Sequence, residues 1–130
     1  MAKTYLYKHP DGRETAFLLT ALKTIELEQR LGGSISEKLQ EFDKLSVASE
    51  FIAAAFLEGD YSERKGKALE LFEEIADNGG TIIDYQFIII EILKNSGFMT
   101  AQRAEMYHRL MQTQEALLSR AGNVTEASQN

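Results

Sequence analysis

Residues 78–98 read Asn-Gly-Gly-Thr-Ile-Ile-Asp-Tyr-Gln-Phe-Ile-Ile-Ile-Glu-Ile-Leu-Lys-Asn-Ser-Gly-Phe, a nearly all-apolar run between two glycine stops. Ile82, Ile83, Phe87, Ile88, Ile89, Ile90, Ile92 and Leu93 leave few helical directions without a large side chain, the pattern of a helix surrounded by other helices. The run therefore predicts a central core helix, and the rest of the chain must supply partners on several sides. Its exit is written in Ser96-Gly97-Phe98. Gly97 can take the left-handed conformation that ends a helix, and Phe98 can fold back over the last turn.

The flanking segments provide those partners. Lys3 to Lys8 mixes the aromatic or apolar Tyr5, Leu6 and Tyr7 with polar residues, Asp11-Gly12 punctuates, and Arg13 to Leu19 follows, which predicts a β-hairpin. Asp-Gly suits a two-residue turn, and Pro10 just before it can move the turn earlier or lengthen the loop. From Thr20 the period changes: Leu22, Ile25, Glu26, Leu27 and Leu31 mark a short amphipathic helix that stops at Gly32-Gly33. Ser34 and Glu37 stand three apart, the spacing of a capping box, ahead of a buried stripe of Ile35, Leu39 and Phe42. Ser46 to Leu57 places Val47, Phe51, Ile52, Ala55 and Phe56 on one face of a helix. Ser62 to Asp77 sets Ala68, Leu69, Phe72, Ile75 and Ala76 inward, with Glu63, Lys67, Glu70, Glu73 and Glu74 toward water. Thr100 caps a final helix on which Ala104, Tyr107, Leu110, Met111, Gln114, Leu117 and Leu118 recur, and Gly122 closes it. The expected fold is mainly α, one domain over residues 1–122 with about five to six helices, a short β-hairpin within 1–19 and a flexible polar tail at 123–130.

Composition removes several function classes. At 130 residues the chain can bury a core without metal or disulfide staples, and with no cysteine it has neither disulfides nor thiolate chemistry. A net charge of -6 argues against a phosphate-backbone partner, and the basic group Arg64, Lys65 and Lys67 is interleaved with Glu63 and Glu70. No apolar stretch has the length of a signal peptide or a bilayer crossing, so neither secretion nor a membrane partner is expected. His9 and His108 stand alone, and Glu70, Glu73, Glu74 and Asp77 read as a solvated face, so no metal, cofactor or catalytic residue is nominated. Gly32-Gly33 and Gly79-Gly80 lack phosphate-loop spacing and read as helix stops. Asp84 and Glu91 share one face of the central helix, either its stripe toward water or an anchor for an Arg or Lys from a partner.

Several of these stretches occur together in a known pattern. Leu19-Thr-Ala-Leu-Lys-Thr-Ile-Glu-Leu-Glu-Gln-Arg-Leu-Gly-Gly-Ser34, then an alanine-rich helix, then Asn78-Gly-Gly through Asn95-Ser-Gly-Phe98, resembles the tail assembly chaperones of long-tailed bacteriophages and prophages of Gram-positive bacteria. The similarity spans about Leu18 to Phe98 and rests on the order and spacing of short motifs; the Tyr-rich start and the last helix lie outside it. The resemblance implies a small, helical, non-enzymatic protein of the host cell cytoplasm, absent from the mature virion. It also implies two partners, the tape-measure protein and the tail-tube subunits, with the tube polymerising around a covered ruler.

The physical counterpart of that role is reversible burial of apolar partner surface by an acidic helical protein. Large apolar groups on amphipathic helices are the candidates for contact: Phe51, Phe56, Tyr107, Leu110 and Met111. For each of them core packing is the competing use, as it is for the row Met106, Tyr107, Leu110 and Met111. The spacing of Ala104, Leu110 or Met111, and Leu117 or Leu118 would also suit a homo-oligomer through the last helix. The alternative function is a structural tail or head-tail connector protein retained in the virion, followed by a small helical regulator or enzyme.

Overall fold

The computed structural model describes the backbone of residues 2–129 and side chains through residue 117. Two antiparallel strands, β1 (Tyr5–Lys8) and β2 (Glu14–Phe17), precede six helices. These are α1 (Ala21–Leu31), α2 (Ile35–Lys38), α3 (Leu45–Ala55), α4 (Tyr61–Asp77), α5 (Ile82–Asn95) and α6 (Ala101–Gln129). A 3-10 turn, Leu39–Glu41, continues α2. The fold is mainly helical with a short N-terminal hairpin, as the sequence predicts. Among the described residues no helix is long and apolar enough to cross a membrane.

Helix α5 is the centre, and α3, α4, α6 and β1 all pack on it. Its buried residues are Ile83, Tyr85, Gln86, Ile88, Ile89, Ile90, Ile92 and Leu93. Tyr85 is fully enclosed, donates to the Ala68 carbonyl at 2.7 Å and meets Phe72 edge-on; burial drives its phenol pKa far up. The helix opens with a true capping box: Thr81 accepts from Ile83 N–H, and Asp84 accepts from Thr81 N–H at 2.7 Å. Asp84 is exposed and serves as that cap. At the other end Gly97 takes φ +93, and Phe98 N–H donates to the Leu93 carbonyl at 2.9 Å, closing the last turn. Gly80 is required for a different reason. A Cβ there would stand 2.5 Å from Ile75 Cγ2 and 3.0 Å from the Ile75 carbonyl oxygen, so only glycine lets α4 turn into α5.

The hairpin turn uses His9-Pro10-Asp11-Gly12 as one unit. His9 N–H donates to Arg13 O and Gly12 N–H to His9 O, with Gly12 at φ +93, giving a three-residue loop of the turn-plus-glycine-bulge type. Pro10 accordingly sits inside the turn and lengthens the loop. Glu74 of α4 then clamps it: His9 Nδ1 donates to Glu74 Oε2 at 2.6 Å, and Arg13 donates to Glu74 Oε1 at 2.9 Å. The backbone and guanidinium of Arg13 also hold Asp11 below the usual carboxylate range.

Several boundaries and faces differ from the sequence reading. Ser34 caps α2 by accepting from Glu37 N–H, but no reciprocal bond from the Glu37 side chain is found among the described residues. Helix α3 ends at Ala55, and Phe56 lies in extended backbone, bridged to Phe17 of β2. Leu22 and Ile25 of α1 are exposed, because Thr24 and Leu27 form its buried side. On α4 the inward stripe is Ala68, Leu71 and Ile75, leaving Leu69 and Ala76 outward and Glu74 partly enclosed. Polar bonds fix that rotation: Lys65 donates to Ser49 and Glu50, and Arg64 to the Ala53 carbonyl, along the seam with α3. Finally, α6 runs through Gly122 to Gln129 instead of closing at the glycine. An isolated glycine weakens a helix by about 1 kcal/mol without obliging it to stop.

Candidate functional site

Thr100 starts α6 by accepting from Arg103 N–H at 3.2 Å. The first turns then follow the spacing of a helix packed on one side. Ala104 and Met111 are buried, Tyr107 lies half-buried and edge-on to Phe42, and His108 stacks on Phe87 of α5 at 3.7 Å. On α5 this seam meets Phe87 and Glu91. Glu91 pairs with Lys94 at 2.8 Å and stands 3.4 Å from His108 Nε2, too poorly aligned for a hydrogen bond. Burial therefore dominates at His108 and lowers its pKa from the ordinary 6.5, with Glu91 pulling the other way.

A second row on α6 is separate from that seam. Met106, Leu110 and Leu117 are 61%, 64% and 58% exposed, and their steps of four and seven residues align them within one narrow stripe. Past Met111 every described side chain, from Gln112 to Leu117, is exposed. At 1.5 Å per residue a 29-residue helix is about 43 Å long, and among its described side chains Met111 is the last that is buried. An exposed apolar row on a projecting helix is a surface that another helix can cover.

The five residues named from sequence divide accordingly. Leu110 lies on the exposed row. Tyr107 is in the seam with Phe42, and Phe56 packs edge-on against Phe17 at 4.9 Å with its ring partly open. Phe51 and Met111 are corrections: both are enclosed in the core and present no surface to a partner. Met106 and Leu117 stand with Leu110 on this exposed row: Met106 comes from the row 106/107/110/111 and Leu117 from the spacing that suits a helix pair, and neither is among the five residues nominated for the partner. The signal was present as two interleaved stripes, 104/111 and 106/110/117, which one-dimensional spacing does not assign to inside and outside.

No group of three or more histidine and carboxylate side chains able to hold a metal ion occurs among the described residues. The chain matches no protein-family model, no curated protein and no solved structure.

Proposed function

We propose that this chain is a tail assembly chaperone of a long-tailed phage or prophage, binding the tape-measure protein and tail-tube subunits in the host cell cytoplasm without chemistry of its own. The observation that carries the mechanism is the exposed row Met106, Leu110 and Leu117 on a helix that projects from a closed core. A tape-measure protein is a long helical partner with apolar faces before assembly, and such a face can lie along α6 in helix-to-helix burial. The net charge of -6 would keep that complex in solution. Motif order between Leu18 and Phe98 supports the same reading from sequence.

Co-expression with the tape-measure and tube products of the same tail gene cluster tests this reading. The expected result is a soluble complex recovered with the tape-measure product and strong depletion of this chain from finished particles. Stoichiometric retention in particles would favour a connector and contradict the chaperone role.

A further inference from the structure

The outer edge of β2 is only partly used. His9 N–H donates to Arg13 O, which makes Tyr7/Thr15 and Tyr5/Phe17 the pairs that exchange backbone bonds, so the backbone groups of Glu14, Ala16 and Leu18 point away from β1. Leu18 fits this direction, donating outward to the Ala55 carbonyl at 3.0 Å. At Phe17 a third strand begins, because Phe56 pairs with it antiparallel. It goes no further. Gly59, at φ +100, turns the chain toward Asp60, which caps α4. The Phe17–Phe56 bridge also sets Leu57 N–H against the Ala16 carbonyl, so the outward groups of β2 that the third strand leaves unpaired are the Glu14 N–H and C=O and the Ala16 N–H.

A groove of about 510 Å³ occupies the place where that third strand would continue, between β2 and α4. Buried Phe17 and Leu71 form its floor, and Phe56 with the 48% exposed Leu57 forms one end. The exposed carboxylates of Glu14, Glu58 and Glu70 stand around it. Of the cations there, Arg13 is already paired with Asp11 and Glu74, while Lys67 lies 5.8 Å from the Phe56 ring centre. The lining therefore combines unpaired strand edge, apolar floor and an acidic surround.

From this we propose that the groove binds an extended, basic segment of a partner protein by strand addition to β2. Alternate apolar side chains would settle toward Phe17 and Leu71, and the intervening lysines or arginines would face Glu14, Glu58 and Glu70. A helix offers no free backbone groups to pair with Glu14 and Ala16. Edge-to-edge pairing of two copies would bring the same carboxylates together, a like-charge arrangement that is unfavourable across strands. The proposal uses none of the α6 row, so it stands or falls apart from the tail-assembly reading.

The test is titration of the full-length protein with fluorescein-labelled acetyl-Lys-Val-Lys-Val-Lys-amide, read by polarisation and by backbone amide NMR. Two control peptides are the same sequence N-methylated at alternate residues and its glutamate counterpart. Saturable binding is expected, with the largest amide shifts at Glu14, Ala16 and Leu57 and with slowed exchange at Glu14 and Ala16. The glutamate peptide should not bind, and N-methylation should cost on the order of tenfold or more in affinity. The pair Glu58→Lys and Glu70→Lys, both at exposed positions, should also weaken binding on the order of tenfold with the thermal midpoint unchanged. Ala16→Pro removes the edge donor and should abolish binding; the charge pair keeps the test decisive if that hairpin fails to form. Absence of saturable binding, equal binding of the N-methylated peptide, or indifference to charge reversal would overturn the proposal. So would a peptide-free dimer by sedimentation whose Glu14 and Ala16 amides are already protected.

Discussion

Helix α5 has eight buried residues in fourteen, whereas α6, with twenty-nine, has two among those whose side chains are described, Ala104 and Met111. The two pack against each other, yet one is held by helices and a strand around it, while the other is held, among its described residues, along one side by α5 and Phe42. In α5 the apolar surface is covered within the chain except at Phe87, which keeps 36% of its surface open beside His108. In α6 part of it, the Met106, Leu110 and Leu117 row, is left for something else. Stability and binding should therefore separate between these helices, since core truncations remove both packing and shape while surface changes leave the fold nearly untouched.

The largest expected effect is on the central helix. Ile90→Ala removes a fully enclosed side chain and should destabilise the protein by about 2–5 kcal/mol in denaturant titration. A loss under about 0.5 kcal/mol would show that α5 is not the organising core. Gly80→Ala should follow, at about 1–3 kcal/mol, because the new methyl collides with Ile75 where α4 turns into α5. Glu74→Ala should cost about 1–2 kcal/mol by stranding His9 Nδ1, with amide exchange accelerating first in the hairpin.

A smaller effect concerns the seam between the two helices. Because His108 has a folded pKa below 6.5, the unfolded chain binds that proton first; the contribution is fully present above pH 6.5 and is lost as pH falls from there through the folded value. Thermal midpoints between pH 8 and pH 5 should thus fall more for wild type than for His108→Gln, and a reversed difference would contradict this assignment. The smallest change in stability belongs to the exposed row: Leu110→Ser should stay within about 0.5 kcal/mol of wild type while weakening capture of the tape-measure product.

Legibility followed the same division. A run so crowded with large apolar side chains, interrupted only at Asp84, Gln86 and Glu91, has to be mostly interior, so α5, its glycine exit and its central place were readable from residues 78–98. Amphipathic helices gave their existence but not always their rotation. On α4, Leu69 and Leu71 compete for the inward stripe, and the choice is settled by Lys65 and Arg64 bonding across to α3, contacts that no local spacing contains. Phe56 was read as helical because its apolar neighbours continue the period. It leaves the helix to pair with Phe17, thirty-nine residues earlier. Glu74 looked like one more solvated carboxylate on an acidic face, and only the folded hairpin brings His9 and Arg13 to it. Of the residues nominated for contact Leu110 is exposed, whereas Phe51 and Met111 lie in the core for one reason: large apolar groups look alike until the fold chooses their side.

Hydrogen exchange on the purified complex with the co-expressed tape-measure product, compared with the free protein, addresses the central claim most directly. The account predicts new protection across residues 106–117 of α6, with α5 exchanging as slowly as before. Unchanged exchange throughout α6 in a complex that nevertheless forms would contradict it, and would place the partner on another surface.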